Sequence, residues 1–150
     1  MSLELSINTA VKEAMKAKDK ERLSALRAIK NAIIMAKTEK AGTELDEKKE
    51  IALLQKLQKQ RKESAAIYHE QGRAELAAEE ELQLAVIEEF LPQPLSNEEL
   101  QDIIAKVIED VGAQSPAEMG KVMGKANAQI AGRADGKTIA DTVKQMLLNR

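Results

Sequence analysis

The stretch FLPQPLSNEEL at residues 90–100 constrains this chain more than any other. Pro92 and Pro94 push the residues before them out of the helical region, so a helix running through 91–94 is excluded. Just beyond, Ser96 and Glu99 have the spacing of a capping box, in which the serine side chain takes the N3 amide and the glutamate reaches back to the cap amide. A helix therefore restarts after residue 96. Leu100, Ile103, Ile104, Val107, Ile108 and Val111 then form one amphipathic stripe at helical spacing. The expected organisation is an N-terminal part over 1–91, a Pro-containing linker at 92–95, and a C-terminal part over 96–150.

Helix signals punctuate both parts. A first helix is expected over about 3–17, and Asp19 caps a second over 20–39. The KAGTELDE segment breaks the pattern at Gly42, and Asp46 caps a long third helix reaching about Gln71, with Ile51, Leu54, Leu57, Ala65 and Tyr68 facing inward. After Gly72, residues 73–90 resume a helix that is acidic outside, with Leu76, Leu84, Ile87 and Leu91 as candidate core. In the C-terminal part Gly112 ends the first helix. Ser115 with Glu118 is a second capping box, with Pro116 at the first helical position, and that helix reaches about Ala131. Gly132 suits the position just past its end, and Asp135 caps a last helix to about Leu148. The chain is rich in Ala, Leu, Glu, Lys and Gln and holds one Tyr, one Phe and no Trp, which disfavours a sheet. The fold class is all-α: long helices in hairpins, then a compact three-helix unit.

Several chemistries drop out. Cysteine is absent, which removes disulfides, thiolate metal sites and cysteine nucleophiles. No window approaches 18 consecutive apolar residues, and MSLELSINTAVKEAM has no basic segment leading into a long apolar run. No membrane span or signal is expected, and a cytoplasmic location follows as the default. The single histidine, His69, reads as a surface residue near a helix end, and the glutamates at 79–81 and 88–89 as a solvated face. GRADGKT falls short of a phosphate-binding loop, because Gly132 and Gly136 are separated by three residues rather than four and no strand precedes them. No complete active site, metal set or cofactor motif emerges, so the chain is not expected to catalyse alone.

Charge is uneven beneath a net value of −2. Residues 1–40 carry nine basic against five acidic side chains, a surplus of +4; residues 70–94 carry one arginine against seven glutamates, or −6; residues 113–150 carry six against three, or +3. Within the last segment lies GKVMGKANAQIAGRADGK, residues 120–137. It holds four of the seven glycines, each followed at once by a basic residue: Gly120–Lys121, Gly124–Lys125, Gly132–Arg133 and Gly136–Lys137. A glycine inside a helix costs roughly 1 kcal/mol relative to alanine. Two readings of Gly120 and Gly124 stay open. Another helix crosses there at close range, with Met119 and Met123 filling gaps. Alternatively, bare backbone flanked by lysines meets a phosphate backbone. Aromatics for base stacking are missing, so sequence-specific single-strand readout is not expected. Lys56, Lys59, Arg61 and Lys62 in KLQKQRK would extend a basic track if they share a face; the alternative is a solvated helix surface.

The stretches KAKDKERLSALRAIKNAI, QKLQKQRKES, FLPQPLS, MGKVMG and GRADGK, in this order across nearly the whole chain, resemble the YqeY-like family. Residues from about 95 onward are also similar to the tail domain of the B subunit of the tRNA-dependent amidotransferase (GatB). The resemblance implies an all-α fold with helical-hairpin and three-helix parts. It further implies a link to carbon–nitrogen ligase activity with glutamine as amido donor, and tRNA contact by the tail. Carried over, the contact positions are Gly120, Lys121, Gly124, Lys125, Arg133, Gly136 and Lys137. Two functions are therefore expected in competition: a tRNA-binding or amidotransferase-associated helper whose partner is tRNA or a tRNA-modifying enzyme, and a protein-interaction module docking on a synthetase or amidotransferase without touching RNA.

Overall fold

A computed structural model describes residues 2–39 and 45–149. Among these residues the protein is all helical: α1 (Leu3–Lys16), α2 (Lys20–Glu39), α3 (Glu47–Glu70), α4 (Ala74–Glu88), α5 (Asn97–Val111), α6 (Met119–Ile130) and α7 (Gly136–Leu148), with a 3-10 turn at Pro116–Glu118. The expected break at Gly42 lies outside the described residues. No described helix is long and apolar enough to cross a membrane.

The starts of these helices are set by short polar side chains that accept orphan first-turn amides. Ser2, Asp46 and Asp135 accept from the N–H groups of Leu5, Lys49 and Thr138, and Asp19 takes that of Arg22 at 3.1 Å. The box at Ser96 closes on both sides, with Ser96 N–H to Glu99 Oε1 at 3.3 Å and Glu99 N–H to Ser96 Oγ at 3.1 Å. At the second box the Glu118 carboxylate accepts from the amides of Gln114 at 2.6 Å and Ser115 at 3.3 Å. The three residues after Ser115 wind as a 3-10 turn, so α6 proper begins at Met119, later than the capping signal suggested. Gly112 ends α5 at φ 74°, a left-handed conformation in which glycine carries no Cβ penalty.

The chain divides into two compact units, with the boundary between Leu91 and Pro92. In the first, α1 pairs with α2 and α3 with α4. Ile7, Ala14, Leu26, Ile29, Ile33 and Leu54 are almost fully withdrawn from water there, together with Val86 and Ile87. The α4 contribution departs from expectation. Ile87 is buried as anticipated, but Leu76, Leu84 and Leu91 are only half-buried, while Ala77 and Val86 go inside. Apolar residues are spread around α4 rather than gathered in one stripe, so its inward face is decided by what α2 and α3 present. Near the turn that joins them, α3 and α4 bury the small residues Ala65 and Ala77.

The second unit is built on the α5 stripe. Leu100, Ile104, Val107 and Ile108 pack with Val122, Ala126 and Ile130 of α6 and Ile139, Val143 and Leu147 of α7. Pro92–Leu95 is not a free tether. Gln93 O accepts from Arg133 Nε at 2.8 Å, Leu95 N–H donates to Arg133 O at 2.9 Å, and the Leu95 side chain packs against this core.

Candidate nucleic-acid interface

The orientation of α6 is set by its apolar residues. Val122, Ala126 and Ile130 are fully buried, with Met119 and Met123 half-buried beside them. The opposite side is solvent-exposed and carries Gly120, Lys121, Gly124 and Lys125. At a helical step of about 100° per residue, the two glycines lie within about 40° of each other and the two lysines form the adjoining row.

A Cβ added at Gly120, Gly124 or Gly136 would meet nothing within 4 Å. Close helix crossing is therefore not why glycine stands at these positions, and the methionines serve the core on the other side. Asn127 and Ala128, not singled out from the sequence, extend the same exposed strip by one turn. Their i+3 and i+4 spacing from Gly124 is the signal that finds them.

The basic residues have different surroundings. Lys121 is exposed near Glu118, whose carboxyl is held below the usual carboxylate range chiefly by the Gln114 amide, with Lys121 adding a smaller pull. Lys125 stands 3.8 Å from Asp110 of α5, both about half exposed, a pairing worth at most about 1 kcal/mol. Arg133 is half-buried and committed to the Gln93 carbonyl. It follows Ala131 and Gly132, both left-handed at φ 45° and 84°, which turn the chain so that Arg133 points back to residues 93–95. Gly136 and Lys137 are exposed in the first turn of α7, where the Asp135 side chain already accepts the Thr138 amide at 2.7 Å. The fold thus collects Gly120, Lys121, Gly124 and Lys125 on one helix face and sets Arg133 apart as a clasp.

In the first unit Lys56, Lys59 and Lys62 are exposed on α3, but Arg61 is not on their face. It turns to α4 and pairs with Glu80 at 2.9 Å, with its Nε buried and without a partner. The acidic segment stays largely exposed, as expected of a solvated face, and makes surface contacts: Glu81 meets His69 at 2.5 Å, Glu88 accepts from Gln58 at 3.3 Å, and Glu89 pairs with Arg22 at 2.6 Å.

Two comparisons relate the chain to known proteins. The family model described as Yqey-like protein matches residues 4–147. The E subunit of the glutamyl-tRNA(Gln) amidotransferase of Thermococcus gammatolerans is 35% identical over 86 residues, covering 55% of this chain but 12% of that much longer protein. The match of the family model from α1 to α7, across both units, places the chain in the YqeY-like family.

Proposed function

We propose that this protein is a tRNA-binding or amidotransferase-associated helper acting in the cytoplasm, and that the exposed glycine–lysine face of α6 is its contact surface. The observation that carries this reading is the open space over Gly120 and Gly124. Gly124 costs its helix roughly 1 kcal/mol relative to alanine and Gly120, in the first turn, a smaller amount, with no side-chain packing at either site to offset it. A smooth strip of bare backbone beside Lys121 and Lys125 suits a ligand backbone that approaches closely and carries negative charge. Similarity to part of a glutamyl-tRNA(Gln) amidotransferase supports tRNA as that ligand, and carbon–nitrogen ligase chemistry as the setting rather than the activity of this chain.

The test is fluorescence-anisotropy titration with bulk tRNA across a salt series, comparing the protein with a Lys121→Glu, Lys125→Glu, Lys137→Glu variant. Arg133 is left intact because its side chain holds residue 93. Each phosphate contact contributes about −0.7 to −0.9 to the slope of log affinity against log salt. A slope shallower by about 2 to 3 in the variant than in the parent is expected. Equal affinity and slope in the two proteins would remove the α6 face from the reading.

A further inference from the structure

We infer that the outward face of α3 is a second, separate surface for the phosphate backbone of structured RNA; this rests on the RNA reading above. The face carries Lys48, Lys49, Lys56, Lys59 and Lys62, all exposed. Helical geometry gathers these five within an arc of about 140° and spreads them over about 21 Å. None takes part in an ion pair among the described residues.

Three other cations of the same unit are held in ion pairs. Arg22, Lys37 and Arg61 are paired with Glu89, Glu4 and Glu80. Within 48–62 the only carboxylate is Glu50, and it turns away to accept the Leu3 amide at 2.7 Å. Within 48–62 the fold thus engages Glu50 and Arg61 and leaves the five lysines exposed. Lys48 and Lys49 even sit in the first turn, where the positive end of the helix dipole disfavours them, so helix stability does not explain their placement.

A protein partner fits this face poorly. Lysine is depleted from the centres of protein interfaces, which rely on aromatic and large apolar anchors. Among the described residues the exposed large apolar ones are Leu5, Met15, Ile34, Met35, Ile67 and Leu148, and none lies between Lys48 and Lys62. Beyond Lys62 the face changes, with Glu63, Ile67 and Glu70 following, which marks where the cationic row stops. A row of flexible point charges without anchors matches a repeating phosphate lattice and reads no bases.

The experiment uses the full chain with bulk tRNA as probe and three proteins: the parent, Lys56→Glu/Lys59→Glu/Lys62→Glu, and Lys121→Glu/Lys125→Glu. Circular dichroism checks helicity, and Lys56→Gln/Lys59→Gln/Lys62→Gln replaces the reversal variant if that one loses helix. The α3 variant is expected to bind about tenfold or more weakly near physiological salt, with a slope shallower by about 2 to 3. Unchanged affinity and slope in the α3 variant, alongside weakening by the α6 variant, overturns the α3 surface and leaves the proposed function standing. A parent protein that binds no tRNA at low salt overturns both. Polyglutamate binding as tightly as tRNA, with the same loss in the α3 variant, also overturns the inference, because it assigns the face to acidic protein segments.

Discussion

Arg133 donates from Nε to the Gln93 carbonyl, and its own carbonyl accepts the Leu95 amide. In the sequence it looks the same as Lys121 or Lys125, a basic residue after a glycine, yet its side chain is spent on the fold. Replacing Arg133 by Ala removes the side-chain bond while sparing the main-chain one. We expect a loss of about 1–2 kcal/mol in the stability of the second unit, read as a lower urea midpoint, with the Leu95 amide still protected from exchange. An unchanged midpoint would show that the side-chain bond contributes nothing.

Glu99 and Glu118 give a second residue-scale prediction. Both carboxyls are held below their ordinary value of 4.5, Glu99 first by the Ser96 side chain and Glu118 first by the Gln114 amide. A depressed folded-state pKa means stability that is present above the unfolded value and lost as pH falls through the folded one. The urea midpoint of the second unit should therefore drop below about pH 4.5, and Glu99→Gln with Glu118→Gln should flatten that dependence. An acid profile equally steep in the double variant would assign the loss to other carboxylates.

At the scale of the element, α6 sets stability against contact. Gly120 lies in the first turn of α6 and Gly124 in its interior, both with open space where a Cβ would go. Changing both to alanine should stabilise the protein, by about 1 kcal/mol at the interior Gly124 and less at Gly120, raising the melting temperature by a few degrees. The same change should weaken tRNA binding, because methyl groups now stand in the strip. Greater stability with undiminished tRNA affinity would mean that the glycines serve no contact. On α3 the lesson is about direction: Lys56, Lys59 and Lys62 share a face at spacing three, while Arg61, one residue from Lys62, is carried about 100° round to Glu80.

For the whole molecule, each unit has its own apolar core, centred on residues such as Leu26 and Leu54 in one and Ile104 and Val143 in the other. We expect the 92–150 fragment to keep its helical circular dichroism, and Ile104→Ala to destabilise that fragment by about 2–5 kcal/mol. A fragment without helix would mean that the second core is insufficient alone. Helix number, the ends set by Ser96, Gly112 and Asp135, and the α5 stripe were legible in the sequence, because caps, glycine stops and helical periodicity act within a few residues. The family too was legible, since its motifs recur in order along the chain. Three things waited for the tertiary structure: which side of α4 goes inward, that Arg61 and Arg133 are fastened to the fold, and that the α6 glycines face open space. Each depends on a neighbour tens of residues away, and local sequence specifies a helix but not the surface that meets it.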